Sequence, residues 1–175
     1  MFDGSAPFYQ SGWVVTDIDE AITAWIAKGG GPFYVRRNLR RLPSRYRGSP
    51  SLIDLSIAWG QVGGMQIELI QQLSDEQSCY RDSFPRGIPA GAGGFHHLAM
   101  QNADFDRAYA ACIGNGYVEA QSGVFDGTRV SYFDTRPQYG FMIEITEVTP
   151  SIAALNEMVS EAARGWNGTA PVREI

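Results

Sequence analysis

Histidine, cysteine and lysine are all scarce in this chain of 175 residues, and each shortage removes a class of function. The two cysteines, Cys79 and Cys112, have no zinc-ligand spacing and are too few for a secreted disulfide scaffold, so both are expected reduced and buried. Of the 14 basic residues only Lys28 is a lysine, and the net charge is −5. Binding to nucleic acid, which needs a broad basic face, is not expected. No stretch approaches about eighteen consecutive apolar residues, and MFDGSAPFYQ at the start is not a basic region followed by an apolar run. The expectation is a soluble, cytoplasmic protein with no membrane partner. What is present, 44% hydrophobic and 12% aromatic residues, is enough for a packed core in a single domain.

The only two histidines stand side by side, His96 and His97, in GGFHHLAMQNADFDRAYA. In a strand, neighbouring side chains point to opposite faces, so a regular strand would not let the pair serve one site together. That segment also repeats an earlier one. YQSGWVVTDIDEAITAWIAKG, from Tyr9, and HHLAMQNADFDRAYAACIGNG, from His96, align at a constant offset of 87 residues. Asp17 meets Asp104, Asp19 meets Asp106, and Gly29 meets Gly116. Each reads as a half-buried strand, an Asp N-cap and an amphipathic helix closed by glycine. A second echo follows, GGMQIELIQQ against YGFMIEITEV, with Glu68 over Glu144 at the strand centres.

Shorter strand-like runs lie between these anchors: GPFYVRR and SLIDLSIAWG in the first half, GYVEAQSG and TRVSYFDT in the second. The chain therefore reads as α+β, two β-α-β-β-β repeats at about residues 8–72 and 94–148. A linker rich in Ser, Pro and Gly joins them at 73–93. A C-terminal helix capped by Thr149 with Pro150 at its first position follows, and then a tail.

With its central acids, this pattern resembles the vicinal oxygen chelate superfamily, which includes glyoxalase I, methylmalonyl-CoA epimerase, extradiol dioxygenases and bleomycin-resistance proteins. The resemblance spans residues 8–148 and rests on the two D-[IF]-D-x-A helix starts, FHHLAM, MQIELI and FMIEIT. It implies that the repeats form a cup-shaped mixed sheet around a metal, within one chain or by exchange across a dimer; a homodimer is expected. Alternation places Gln10, Gly12 and Val14 on one face of the first strand. It likewise groups His97 with Ala99, Gln66 with Glu68, and Met142 with Glu144 and Thr146. The resemblance then implies four metal ligands: Gln10, Glu68, His97 and Glu144. His96 is expected against the helix layer, buried and bonded to backbone. Two carboxylates, an amide oxygen and an imidazole balance a divalent ion and leave positions open; Zn, Ni, Co, Mn and Fe(II) all suit them.

The set Gln, Glu, His, Glu is that of glyoxalase I, whereas the dioxygenase and epimerase sets differ. By resemblance this implies a metal-dependent isomerase, epimerase or lyase that moves a proton next to a carbonyl of a small, anionic substrate. Glu144 is the expected base, with Glu68 as the other candidate. Val14 stands where glyoxalase I has a glutathione-binding arginine, so dependence on glutathione is not expected. A non-catalytic small-molecule binder of the bleomycin-resistance type is the alternative, and an extradiol dioxygenase the next. Glu68 follows Gln10 by 58 positions but Glu144 follows His97 by 47, leaving about eleven extra residues in RRNLRRLPSRYRG. These read either as a solvated loop or as an anion clamp at the cup mouth, with Arg36, Arg37, Arg40, Arg41, Arg45 and Arg47 as substrate contacts.

Overall fold

Residues 6–175 are described in a computed structural model, and the elements come in the expected order. The first repeat is β1 (Phe8–Val14), α1 (Ile18–Ile26), β2 (Phe33–Tyr46), β3 (Ser49–Val62) and β4 (Met65–Gln72). A short helix, α2 (Cys79–Asp82), lies in the linker. The second repeat is β5 (Gly94–Asn102), α3 (Phe105–Gly114), β6 (Val118–Phe125), β7 (Thr128–Asp134), the short α4 (Arg136–Tyr139) and β8 (Met142–Glu147). Helix α5 (Pro150–Ala163) and strand β9 (Val172–Glu174) complete the chain. The expected caps are present: the Asp17 carboxylate accepts from the N–H groups of Asp19 and Glu20, Asp104 from Arg107, and Thr149 from Ile152.

The strands run in the order β3-β4-β1-β5-β8-β7-β6-β2-β9, and β2 also pairs with β3. Eight strands therefore close on one another within a single chain. The seam between repeats is β1, parallel to β4 and antiparallel to β5. Alternation gives each strand one face toward the barrel interior and one toward the helices. Ile67 and Leu69 of β4 pack with Ile18, Ala21 and Ile22 of α1, while Ile143 and Ile145 of β8 pack with Phe105 and Cys112 of α3. Ile53, Leu55, Ile57 and Trp59 of β3 face inward instead, in a cluster that α5 joins through Val159.

Two segments differ from their expected form. The supposed loop of extra residues is strand: β2 and β3 make a 14-residue pair that turns at Arg47 and Gly48. Along it β2 twice advances three residues while β3 advances two, so that Leu39 faces Leu55 and Leu42 faces Ile53. These are β-bulges, and Asn38 and Arg41 beside them have φ of 54° and 51°. The bulges turn Leu39 and Leu42 toward the interior cluster at a spacing of three, which period-two alternation cannot reveal. The tail is not free either. β9 pairs in parallel with Phe33–Val35 on the outer edge of β2.

Bulges also interrupt the β1–β5 seam. Gly12 pairs with His97 but Trp13 with Phe95, which leaves His96 as an extra residue; Phe8 pairs with Met100 but Gln10 with Ala99, which leaves Tyr9. Bulged residues re-aim their side chains and break the alternation. At the same seam the backbone of Gly12 lies against the His97 ring: a Cβ there would sit 1.8 Å from His97 Cε1. Gly12→Ala must push the imidazole out of a packed interior, a change that should destabilise by about 1–3 kcal/mol. Gly64→Ala, with nothing within 4 Å of the added carbon, is the matched control. Equal urea midpoints for the two variants would contradict the close approach.

Candidate metal centre

Strands β4, β5 and β8 bring Glu68, His97 and Glu144 together inside the barrel. All three are buried, and one ligand atom from each lies within 4.8 Å of the others. His97 Nε2 is 2.9 Å from Glu144 Oε2 and 3.5 Å from Glu68 Oε2. Four buried side-chain atoms among the described residues have no hydrogen-bond partner, and three of them are these facing atoms; the fourth is Gln101 Nε2. Buried polar atoms are nearly always satisfied, so three unsatisfied donors and acceptors aimed at one point are what a metal site leaves when only its protein groups are considered. The donor set fits a divalent ion. Gln10, the fourth expected ligand, is buried and lines the same cavity. Its Nε2 donates to Gln66 Oε1 at 2.6 Å, and Gln66 Nε2 donates to Asn156 Oδ1 of α5 at 2.9 Å. With its amide nitrogen engaged, Gln10 keeps its carbonyl oxygen as the available donor.

The other oxygens of the carboxylates are held. Trp59 Nε1 donates to Glu68 Oε1 at 2.9 Å, and the Thr146 hydroxyl donates to Glu144 Oε1 at 2.5 Å. Both partners stand on inward faces. The sequence alternation already places Thr146 beside Glu144.

His96 departs from its expected place. It is fully buried and its Nε2 bonds the Cys79 carbonyl at 3.1 Å, so the expected backbone partner exists. Its ring, however, lies against Tyr80, Tyr132 and His97, and its Nδ1 is 2.9 Å from His97 Nδ1. The bulge at His96 allows two consecutive residues of β5 to meet. A carbonyl only accepts, so His96 carries its proton on Nε2; burial, then His97, hold its pKa well below the usual imidazole value. The neutral ring then presents a bare Nδ1, to which His97 Nδ1–H donates. This fixes Nε2 as the free nitrogen of His97, the one that faces Glu68 and Glu144.

Charge in the site is strongly coupled. Burial, then Glu144, raise the Glu68 pKa, against the pull of His97 and Trp59. Burial would raise Glu144 too, but His97, Thr146 and Tyr132 outweigh it and lower the pKa. Burial works against a charged His97, yet Glu144 and Glu68 prevail and raise it to about 9.

The site forms one end of a cavity of about 100 Å³ that opens to solvent. Tyr9 reaches it beside Gln10 because of the bulge in β1, a residue that alternation could not have found. None of the six arginines lines this cavity. Arg36 pairs with Asp126, Arg37 with Asp19 and Glu174, Arg40 with Asp54, and Arg47 with Asp82 and Asp134. The Arg41 N–H donates to Asp54, and the Arg45 guanidinium to the Gly48 carbonyl. These contacts link β2 and the turn that follows it to α1, β3, β7, β9, the β6–β7 turn and the linker.

The sequence profile of the Glyoxalase/Bleomycin resistance protein/Dioxygenase superfamily matches residues 9–135. The chain belongs to this superfamily. Its barrel is similar to that of a hypothetical protein from Bacillus halodurans C-125, at 19% identity and a TM-score of 0.55, covering 83% of this chain and 96% of that one. Methylmalonyl-CoA epimerase from Mycobacterium tuberculosis is similar at 18% identity and a TM-score of 0.54, covering 84% and 91%. A Streptomyces coelicolor methylmalonyl-CoA epimerase in complex with 2-nitronate-propionyl-CoA follows at 15% and 0.55, covering 82% and 94%. At these identities the likeness concerns the fold. Comparison with curated proteins gives no match.

A pH dependence follows from His97. Its folded pKa of about 9 lies above its ordinary 6.5, so the metal-free protein has the full contribution below pH 6.5 and loses it as pH rises through 9. Thermal melts in chelator should show Tm falling across that window, with the fall reduced in His97→Gln. A wild-type Tm that holds or rises there would contradict the charged imidazole.

Proposed function

We propose that the chain is a metal-dependent isomerase, epimerase or lyase that moves a proton beside a carbonyl of a small molecule. The observation that carries this reading is the convergence of three unsatisfied atoms, two of them carboxylate oxygens, at the closed end of a cavity. Glu68, His97, Glu144 and the carbonyl oxygen of Gln10 would hold a divalent ion. Bound there, the ion supplies Lewis-acid polarisation of the substrate oxygen.

The remaining work belongs to the side chains. Glu144 and Glu68 flank His97, each with Oε2 turned into the site and Oε1 fixed, by Thr146 and Trp59 respectively, so that each would act on a proton with an Oε2 released from the ion. Two such carboxylates can take a proton from a carbon and return it to the same or a neighbouring one; Glu144 is assigned as the main base and Glu68 as its counterpart. His97 is kept in one tautomer by His96 and so cannot swing away. Tyr132, packed edge-on against His97 at 5.1 Å, and the apolar walls keep bulk water from the reacting atoms. The epimerases that share the fold support an isomerase-type role.

Protein purified without added metal should carry about one divalent ion per chain, and His97→Ala should lose it. Incubation in D₂O with glyoxals, 2-oxo acids and thioesters should reveal a substrate that takes up deuterium next to its carbonyl. With that substrate, Glu144→Gln should lower kcat by roughly 10² to 10⁴ while metal remains bound. Full activity of Glu144→Gln would remove it as the base, and metal content unaffected by His97→Ala would remove the site.

A further inference from the structure

We infer that the substrate is uncharged and predominantly apolar away from its carbonyl, an alkyl or aryl compound rather than a small carboxylate or phosphate. The inference rests on the proton-transfer reading of the site and names the class of molecule that the cavity accepts.

Its basis is the distribution of charge around the cavity. From the metal centre outward the wall is Ile57, Leu55 and Ile53 of β3, then Leu42 and Pro43 of β2, faced by Val124, Phe125 and Val130 across the barrel. Apart from the two glutamates, the polar groups are uncharged: Tyr9, Gln10, Trp59, Thr146, Tyr80, Tyr132, Gln121 and hydroxyls near the mouth. No arginine or lysine is among the lining residues, and the only ionisable carboxylates there are Glu68 and Glu144. An anionic tail would therefore lie along an apolar wall without a counter-ion, with two carboxylates at the far end. A buried unpaired charge is among the most unfavourable arrangements a site can offer.

The arginines nearest in sequence do not alter this. The bulges at Asn38 and Arg41 turn Leu39 and Leu42 inward, and Arg36, Arg37, Arg40 and Arg47 are engaged with acids of neighbouring elements. Arg45 donates to the Gly48 carbonyl and lines, with Arg129, a second cavity that meets this one only at the mouth, beside Pro43, Ser44 and Val124. Val14, the position at which glyoxalase I carries its glutathione-binding arginine, is 1% exposed and belongs to the interior cluster. The recognition energy left to the cavity is burial of apolar surface, with direction set at the inner end by the metal centre and the tyrosine hydroxyls.

Alkyl hydroxamates, which place two oxygens on a metal and a chain of chosen length behind them, test this directly. Titrated into the protein loaded with one divalent ion per chain, affinity should rise from acetohydroxamate through butyrohydroxamate to hexanohydroxamate by roughly threefold per methylene. Succinate monohydroxamate, which matches butyrohydroxamate in length but ends in a carboxylate, should bind at least about tenfold more weakly than that partner. Val124→Lys, at a position 60% exposed near the mouth, leaves the core intact and should narrow that gap. Leu55→Ser, checked for folding by circular dichroism, should flatten the chain-length series. Equal or tighter binding of the succinate compound by the wild-type protein, or no dependence on chain length, overturns the inference. Failure of the metal site gives a different pattern: chain-length preference persists while loading or removing metal leaves every affinity unchanged.

Discussion

Two carboxylates and an imidazole lie within 4.8 Å of one another inside an otherwise apolar barrel. Burying such groups in a medium of low dielectric is unfavourable unless each charge is neutralised and each lone pair or proton is met. Much of the surrounding structure answers that constraint. Trp59 and Thr146 each satisfy one carboxylate oxygen, Tyr132 supports Glu144, and His96 fixes the inner nitrogen of His97. The atoms left over all face one point. Without metal, His97 is the compensating charge, and its pKa rises in response to the two acids. A metal held there would compete with the proton for one nitrogen, which would link ion affinity to pH.

Holding the imidazole there requires the backbone to come unusually close. Gly12 is the position on β1 that leaves room for the ring, since any side chain would overlap it. The bulge opposite lets β5 present His96 and His97 to one another rather than to opposite faces. A second bulge, in β1, carries Tyr9 to the cavity. All three irregularities lie on the β1–β5 seam, one of the two places where the repeats join; the other is β2–β6. β4 and β8, on either side of that seam, pair without register shifts and supply the core, while further bulges lie in the β2–β3 and β6–β7 pairs.

The arginine-rich segment shows how the same residue types can serve two purposes that sequence spacing does not separate. RRNLRRLPSRYRG has the charge of an anion clamp and the irregular period of a loop. In the barrel it is the strand that closes the ring against β3 and β6, with leucines turned in at bulges and four of its arginines paired with acids on six neighbouring segments. Exposed ion pairs of this kind add little stability singly, and their acids come from residues as distant as Asp134 and Glu174. No local pattern announces such partners.

Local patterns in the chain set the two repeats, their helix caps and the alternation of Glu68, Glu144 and Thr146 toward the interior. These are local properties: a cap needs one side chain and three residues, and a strand face needs only period two. Tertiary structure decided the rest. Closure within one chain depends on β2 meeting β6, residues about eighty positions apart. The contact between the two histidines depends on a bulge defined only by the register of a partner strand, and β9 is too short to be recognised before it has an edge to join. The uncharged cavity wall follows from where the arginines find their acids. Pairing partners and register are set by the whole barrel, and no window of sequence contains both sides of such a contact.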